Sequence, residues 1–326
     1  RSPSRGLGDV YKRQGEKAGA STPKNTRRHG DEVDVALKAW ERLRQERTPP
    51  EERTRLIDEV LETFEGKIVQ VLQKHDAARV LQTCYRLGTE VQREELMRGL
   101  GTSVVAVALS HYGHFFLLAI LRHGPPAHRQ ILLSQLTGHV RELVVHAEGS
   151  AVLQLAYSSV ATPAQRANLY RELWGKEYAL LGSGKGHTTL ASLFEAEPTA
   201  KARVMRQLEI LLSKAAQKGL AMTTIVQRGL ADLLDFGEDA QRVLLASTLS
   251  GAAAHIMHER DGARIACACL RYGSPKDRKG LLKSLKGYVG ATATHANGTL
   301  VLCAALETVD DLSLIHISEP TRRTPI

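Results

Sequence analysis

Residues 115–136 read FFLLAILRHGPPAHRQILLSQL, and this stretch decides the fold. An apolar run of helical character, Phe115–Arg122, is broken by Gly124-Pro125-Pro126 and followed by a more polar run over Arg129–Leu136. Proline costs little at the first position of a helix, because the N–H it lacks would have no partner there. The same punctuation returns at Thr162-Pro163, Glu197-Pro198 and Ser274-Pro275. Pro126, Pro163 and Pro198 are 37 and 35 residues apart, and Pro275 follows after 77, close to two more periods. A fixed period in this range marks a stacked repeat protein. Each unit exposes an apolar face that only a neighbour covers, so the product is a long surface suited to a long partner.

Working outward, Asp31–Gln45 reads as a helix with Val33, Leu37, Trp40 and Leu43 on one side. Thr48-Pro49-Pro50-Glu51 reads as a helix start, with a threonine cap, proline at the first position and glutamate three after the cap. Later units repeat one order: a charged helix, a short apolar helix, a turn and a second helix. Most of these turns contain glycine, as in Tyr112-Gly113, Glu148-Gly149, Asp261-Gly262 and Asn297-Gly298. The second helices are expected over 77–87, 115–122, 150–160, 187–195, 224–235, 263–272 and 299–308. Strand patterns are scarce, so the expectation is an all-α array over 48–311 of about seven repeats. Residues 15–47 form a basic linker and leading helix.

The two ends read differently. Residues 4–14 resemble the conceptual translation of a transposon-type sequencing adapter, and 312–322 resemble its reverse strand. Residues 1–14 and 312–326 are therefore set aside, and the chain is expected to be a fragment whose C-terminal repeats are missing. These ends carry four Lys/Arg with one Asp and two Arg with one Glu, so removing them lowers the formal charge from +9 to +5. A moderate basic bias permits an anionic partner without requiring one.

With 43% hydrophobic and 24% charged residues, the composition is that of a globular chain. Cys84, Cys267, Cys269 and Cys303 sit in apolar helical runs and are expected to be buried thiols. Cys267-x-Cys269 lacks a second ligand pair for zinc. The most membrane-like stretch, Val104–Leu121, carries Ser110-His111-Tyr112-Gly113-His114 at its centre. Polar residues at mid-span are costly in lipid, so two helices and a turn are expected instead.

The starts of the second helices resemble Pumilio-homology repeats. The strings that carry the resemblance are His75-Asp76-Ala77-Ala78-Arg79-Val80-Leu81-Gln82, Tyr112-Gly113-His114-Phe115-Phe116-Leu117-Leu118, Glu148-Gly149-Ser150-Ala151-Val152-Leu153-Gln154 and Asp261-Gly262-Ala263-Arg264-Ile265-Ala266-Cys267. One register mark per repeat falls at Arg79, Phe115, Ala151, Thr188, Arg264 and Thr299, in steps of 36, 36, 37, 76 and 35. Gly273-Ser274-Pro275-Lys276-Asp277-Arg278-Lys279 adds a likeness to the Puf-A-like, nucleolar branch of the family. The resemblance covers roughly residues 25–311. It implies a right-handed α-solenoid of Pumilio-type repeats, a curved or L-shaped array.

The resemblance also implies where RNA is met. In base-reading members, each second helix offers two side chains to a base edge and one that stacks between bases. Ser150 and Gln154 match an adenine-type edge pair, but Ala151 stands at the stacking position. Ala78 and Gln82 match halfway, with Arg79 able to stack. Phe115 is a good stacker beside a poor edge pair, His114 and Leu118. His187 with Ala191, Ala263 with Cys267 and Gly298 with Leu302 offer no usable code, while Arg264 suits stacking or phosphate. The base reader is thus broken in most repeats, which points to backbone and shape recognition.

The basic supply is Lys276, Arg278, Lys279, Lys283 and Lys286, with Lys24, Arg27 and Arg28. The spacing of Lys276, Lys279, Lys283 and Lys286 places them on one helix face, as either a solvated face or a phosphate contact. Gly182-Ser183-Gly184-Lys185-Gly186 is like a phosphate loop, but Ala179 and Gly186 fail the Walker pattern. The thirteen histidines are scattered, with no convincing ligand spacing and no catalytic constellation.

The expectation is therefore a non-enzymatic protein, without a cofactor, that binds RNA and also DNA with little base specificity. The resemblance implies a nuclear, mainly nucleolar monomer acting on an rRNA precursor in large-subunit assembly, or on an mRNA in translational control. Pre-ribosomal proteins are further expected partners, and no membrane is. The rival is a protein-binding scaffold of the HEAT or armadillo type. A continuous Arg/Lys stripe along the second helices would favour nucleic acid, and an apolar or Asn-lined groove would favour protein.

Overall fold

A computed structural model describes residues 30–45, 47–175, 177–178 and 186–308. The adapter-like ends, the basic residues Lys24, Arg27 and Arg28, and most of the Gly182–Gly186 loop lie outside the described residues. The α-helices in chain order begin with α1 (Gly30–Leu43), α2 (Pro50–Thr63), α3 (Ile68–Val71), α4 (His75–Leu87), α5 (Glu90–Leu100), α6 (Val104–Ala108) and α7 (His114–His123). They continue with α8 (Pro126–Leu136), α9 (Val140–Leu143), α10 (Ala147–Leu155), α11 (Pro163–Arg171), α12 (Leu190–Ala196), α13 (Ala200–Gln217) and α14 (Thr224–Phe236). The last are α15 (Asp239–Leu249), α16 (Ala253–Ile256), α17 (Arg260–Tyr272), α18 (Pro275–Ser284), α19 (Val289–Thr294) and α20 (Ala296–Thr308). Among the described residues every regular element is helical.

The second helices stack into a ladder. Helix α1 packs on α4, α4 on α7, α7 on α10, α14 on α17 and α17 on α20. The leading helix α1 thus forms the first rung, tied by Trp40 Nε1 donating to Thr83 Oγ1 at 2.9 Å. Buried Ile57, Leu81, Phe116, Leu132 and Val152 belong to one continuous core running along the array.

A polar–arginine pair repeats just inside five first helices, α5, α8, α11, α15 and α18. Gln92-Arg93, His128-Arg129, Gln165-Arg166, Gln241-Arg242 and Asp277-Arg278 occupy equivalent places. Each arginine donates to two carbonyls at the end of the preceding ladder helix. Arg93 meets Tyr85 and Arg86, Arg129 meets Gly124 and Arg122, Arg166 meets Ala161 and Ser158, and Arg242 meets Leu234 and Asp235. The residue before the arginine reaches the previous unit, as when Gln92 Nε2 donates to Asp58 at 2.7 Å and Gln241 Nε2 to Glu209 at 2.7 Å. These bonds satisfy carbonyls that helix ends leave unpaired.

The ladder has one irregular step. Helix α14 docks directly on the end of α10, 70 residues away in sequence. The Gln154 amide bonds Thr224 through both its ends, donating to Thr224 Oγ1 at 2.9 Å and accepting from Thr224 N at 2.8 Å. Tyr170 OH donates to Asp232 at 2.6 Å, and Lys218 Nζ to Val145 O at 2.7 Å. Helix α12 packs instead against α13 and, through Phe194, on Phe236 at the end of α14.

Several local expectations hold and several shift. Thr162 and Ser274 cap their helices in capping boxes, and Val104–Leu121 splits into α6, a turn and α7. Among the described residues no helix is long and apolar enough to cross a membrane. Thr48 does not cap α2, because its hydroxyl donates to the Arg42 and Gln45 carbonyls that end α1, and Pro49 takes the cap position. Pro198 lies in the turn before α13 rather than at its first position. Of the four cysteines, Cys84 and Cys269 are buried, Cys267 is half-buried and Cys303 is exposed, on the open side of a groove that it lines together with Cys267 and Arg271 of α17.

Candidate nucleic-acid interface

The register marks are the exposed rungs of the ladder. Arg79, Ala151, Arg264 and Leu300 are exposed, each the fifth residue of its helix, and Phe115 near the start of α7 is 47% exposed. The fifth residue of α14 is Arg228, 36 residues before Arg264, and sequence reasoning missed it. The pair Gln241-Arg242 could have found it, since the clamp arginine follows its mark by 14 residues in this unit as in those of Arg79 and Phe115. Two expected marks fall elsewhere. Thr188 precedes α12, and Thr299 stands one place before the equivalent residue, Leu300.

The positions expected to read base edges turn inward. Ala78 is 1% exposed, His114 7% and Ser150 2%. His114 Nδ1 lies 3.1 Å from the Ser110 carbonyl, and Ser150 Oγ is buried without a hydrogen-bond partner. Gln154 is occupied by Thr224. His187 is not on a ladder helix at all, since α12 begins at Leu190 and the His187 carbonyl accepts from Arg171 at 3.3 Å. Gln82 is half-exposed beside its mark. Packing explains the pattern: the residue before each mark is one helical step nearer the neighbouring rung, so it is covered by stacking.

The exposed ladder surface is rich in arginine. Arg79 and Arg86 are exposed on α4, Arg122 on α7, and Arg264 and Arg271 on α17, while Arg228 on α14 is half-buried. The stripe is interrupted at α10 and α20. The Arg79 guanidinium lies over the Trp40 ring at 5.1 Å and the Arg228 guanidinium over Tyr170 at 4.3 Å, so an aromatic face holds each cationic head in place. Arg264 pairs with Asp235 and, at 2.8 Å, with Asp261. Burial works against its charge, but these carboxylates outweigh it and hold the proton more firmly than usual. Burial pushes the Asp232 carboxyl above its ordinary range, against the Tyr170 hydroxyl and Arg228.

The lysine row divides. Lys276, Lys279 and Lys283 are exposed on α18, whereas Lys286 lies beyond the end of that helix, in the turn before α19. Arg278 is not part of a free basic face. Its guanidinium donates to the Gly273, Arg271 and Thr308 carbonyls at 3.0–3.1 Å, so it serves as the clamp of its unit. Among the described residues no group of His, Cys, Asp and Glu is arranged to hold a metal ion.

Comparison with known proteins meets this geometry. A family model described as Pumilio-family RNA binding repeat matches residues 46–61, 79–100 and 103–137. Pumilio homolog 3 of Homo sapiens is 30% identical over 308 residues, covering 94% of this chain and 47% of the human protein. Pumilio homology domain family member 6 of Saccharomyces cerevisiae is 28% identical over 295 residues, covering 90% of this chain and 45% of the yeast protein. The chain therefore spans about half the length of the curated relatives it matches. The crystal structure of human Puf-A aligns with a TM-score of 0.77 at 31% identity, over 87% of this chain and 55% of that one. Human Puf-A in complex with DNA aligns equally well, with a TM-score of 0.77 at 30% identity, over 89% of this chain and 57% of that one.

Proposed function

The chain belongs to the Pumilio-family RNA-binding repeat proteins, of the Puf-A-like kind, and from that premise we propose that its ladder binds RNA through phosphates with little base specificity. One observation carries this reading: Ala78, His114 and Ser150 are buried and Gln154 is bonded to Thr224, while arginines stand exposed on three rungs, α4, α7 and α17. Phosphate contacts supply affinity without sequence information. DNA is a second ligand of the same surface, in keeping with the human Puf-A structure solved with DNA. In the cell this activity suits a nuclear, mainly nucleolar factor that handles an rRNA precursor during large-subunit assembly. The alternative within the same reading is an mRNA under translational control.

Titrating the chain with several unrelated single-stranded RNAs tests this directly. Their affinities are expected to agree closely and to fall together as salt rises. Replacing Arg86, Arg122 and Arg271 by glutamine removes three candidate phosphate contacts. It should lower the steepness of the log–log salt dependence by about 2, at roughly 0.7 per contact for single strands. Strong preference for one short sequence defeats the low-specificity reading. Affinity indifferent to salt defeats the phosphate reading and favours a protein-binding scaffold.

A further inference from the structure

One cavity of about 350 Å³ lies off the register marks, where α16 and the turn between α18 and α19 meet the start of α20. Its floor includes Met257, Leu285 and Ala291, and its rim carries Tyr288, His255 and His258. Six residues before the turn glycines Gly113, Gly149 and Gly262, the chain buries aliphatic Val107, Leu143 or Ile256. At the same place before Gly298 it has polar Thr292, which lines the cavity and whose hydroxyl donates to the Tyr288 carbonyl at 2.9 Å. Tyr288 remains 67% exposed at the cavity's mouth.

Large apolar rings in water are costly to leave uncovered, and a tyrosine beside imidazoles is the kind of surface on which an unstacked base settles. Exposed Lys286 lies in the same turn as Tyr288 and Leu285, and exposed Lys283 lies in the last turn of α18 beside it, so the two are placed to meet the phosphates on either side of such a base. We propose that this cavity receives one extruded nucleobase of a bound single strand, stacked on Tyr288, with the flanking phosphates on Lys283 and Lys286. The proposal rests on the nucleic-acid reading above and adds to it a base site that lies apart from the ladder marks. The site would accept any base, because the ring offers a face rather than an edge code.

The test compares a short single-stranded RNA with a strand of the same backbone and length whose sugars carry no bases. Tyr288→Ala should weaken binding of the normal RNA about five- to a hundredfold, the range one base–aromatic stack supplies. It should leave the base-free strand and the salt dependence unchanged. Thr292→Leu, which puts added aliphatic bulk into the cavity, should also weaken the normal RNA and leave the base-free strand unchanged. Equal binding of wild type and Tyr288→Ala to the normal RNA overturns the base site while leaving the ladder reading intact. Equal loss on both strands overturns it as well, since the effect would then not involve a base. If the wild-type chain binds neither strand, the nucleic-acid reading fails and the base site with it.

Discussion

Gly262→Ala is expected to cost about 4 kcal/mol, at the far end of what single substitutions do. At this residue the first turn of α17 lies against the end of α16. A Cβ built on Gly262 would stand 1.8 Å from the Ile256 carbonyl oxygen and 2.6 Å from its carbon. These are backbone atoms, so no side-chain rotation relieves the overlap, and α16 must move off α17 for alanine to fit. The movement would uncover Ile256 and Ala253, both fully buried, and disturb Ile265 in the adjoining rung. Chemical denaturation monitored by far-ultraviolet circular dichroism measures the loss. Gly280→Ala is the matched control, because its Cβ would meet nothing within 4 Å. As an exposed glycine inside α18, it should gain up to about 1 kcal/mol from helix propensity. A Gly262→Ala protein as stable as wild type would show that the short and second helices do not pack as closely as described.

Trp174→Ala should cost about 3–5 kcal/mol, the usual range for emptying a large aromatic site. Trp174 is fully buried between Tyr170 and Tyr178, with ring centroids at 5.9 and 6.1 Å in edge-to-face arrangement. Its indole N–H is buried without a partner, so its contribution is packing rather than hydrogen bonding. The position makes the effect distinctive. Tyr170 also bonds Asp232 and lies beneath Arg228, so the aromatic cluster holds α11 to α14 at the irregular step. In a solenoid each unit is stabilised by its neighbours, and a weakened step lets the two sides unfold separately. Differential scanning calorimetry should therefore show one transition in the wild type and two in the variant, with the first well below the original. Trp174→Phe, which keeps most of the volume, should keep the single transition. A single, unshifted transition in Trp174→Ala would mean that the two sides are joined elsewhere.

Much of the architecture was legible because its determinants are local. Thr162-Pro163 and Ser274-Pro275 start helices where expected, since a cap and a first-position proline act within one turn. The ladder marks at Arg79, Phe115 and Ala151 follow from the Pumilio-like strings that open the second helices, which recur 36 residues apart. Thr48 misled for an instructive reason: the hydroxyl that resembles a cap for α2 is closer to the open carbonyls of α1. Arg278 misled likewise. Its basic character suggested phosphate, whereas its place in the repeated polar–arginine pair commits it to backbone carbonyls.

The interface was less legible than the fold. Edge-reading chemistry could be assigned to Ser150 and Gln154 by type, but only stacking of the rungs shows that one is covered and the other occupied by Thr224. Residue type and period by themselves determined an all-helical repeat chain, its caps and most of its register, because these depend on contacts within a few residues. Tertiary structure alone decided that α14 and not the 187–196 segment continues the ladder from α10, and that the edge positions face inward. Those outcomes rest on contacts such as Gln154–Thr224 and Tyr170–Asp232, 60 to 70 residues apart, which no local pattern encodes.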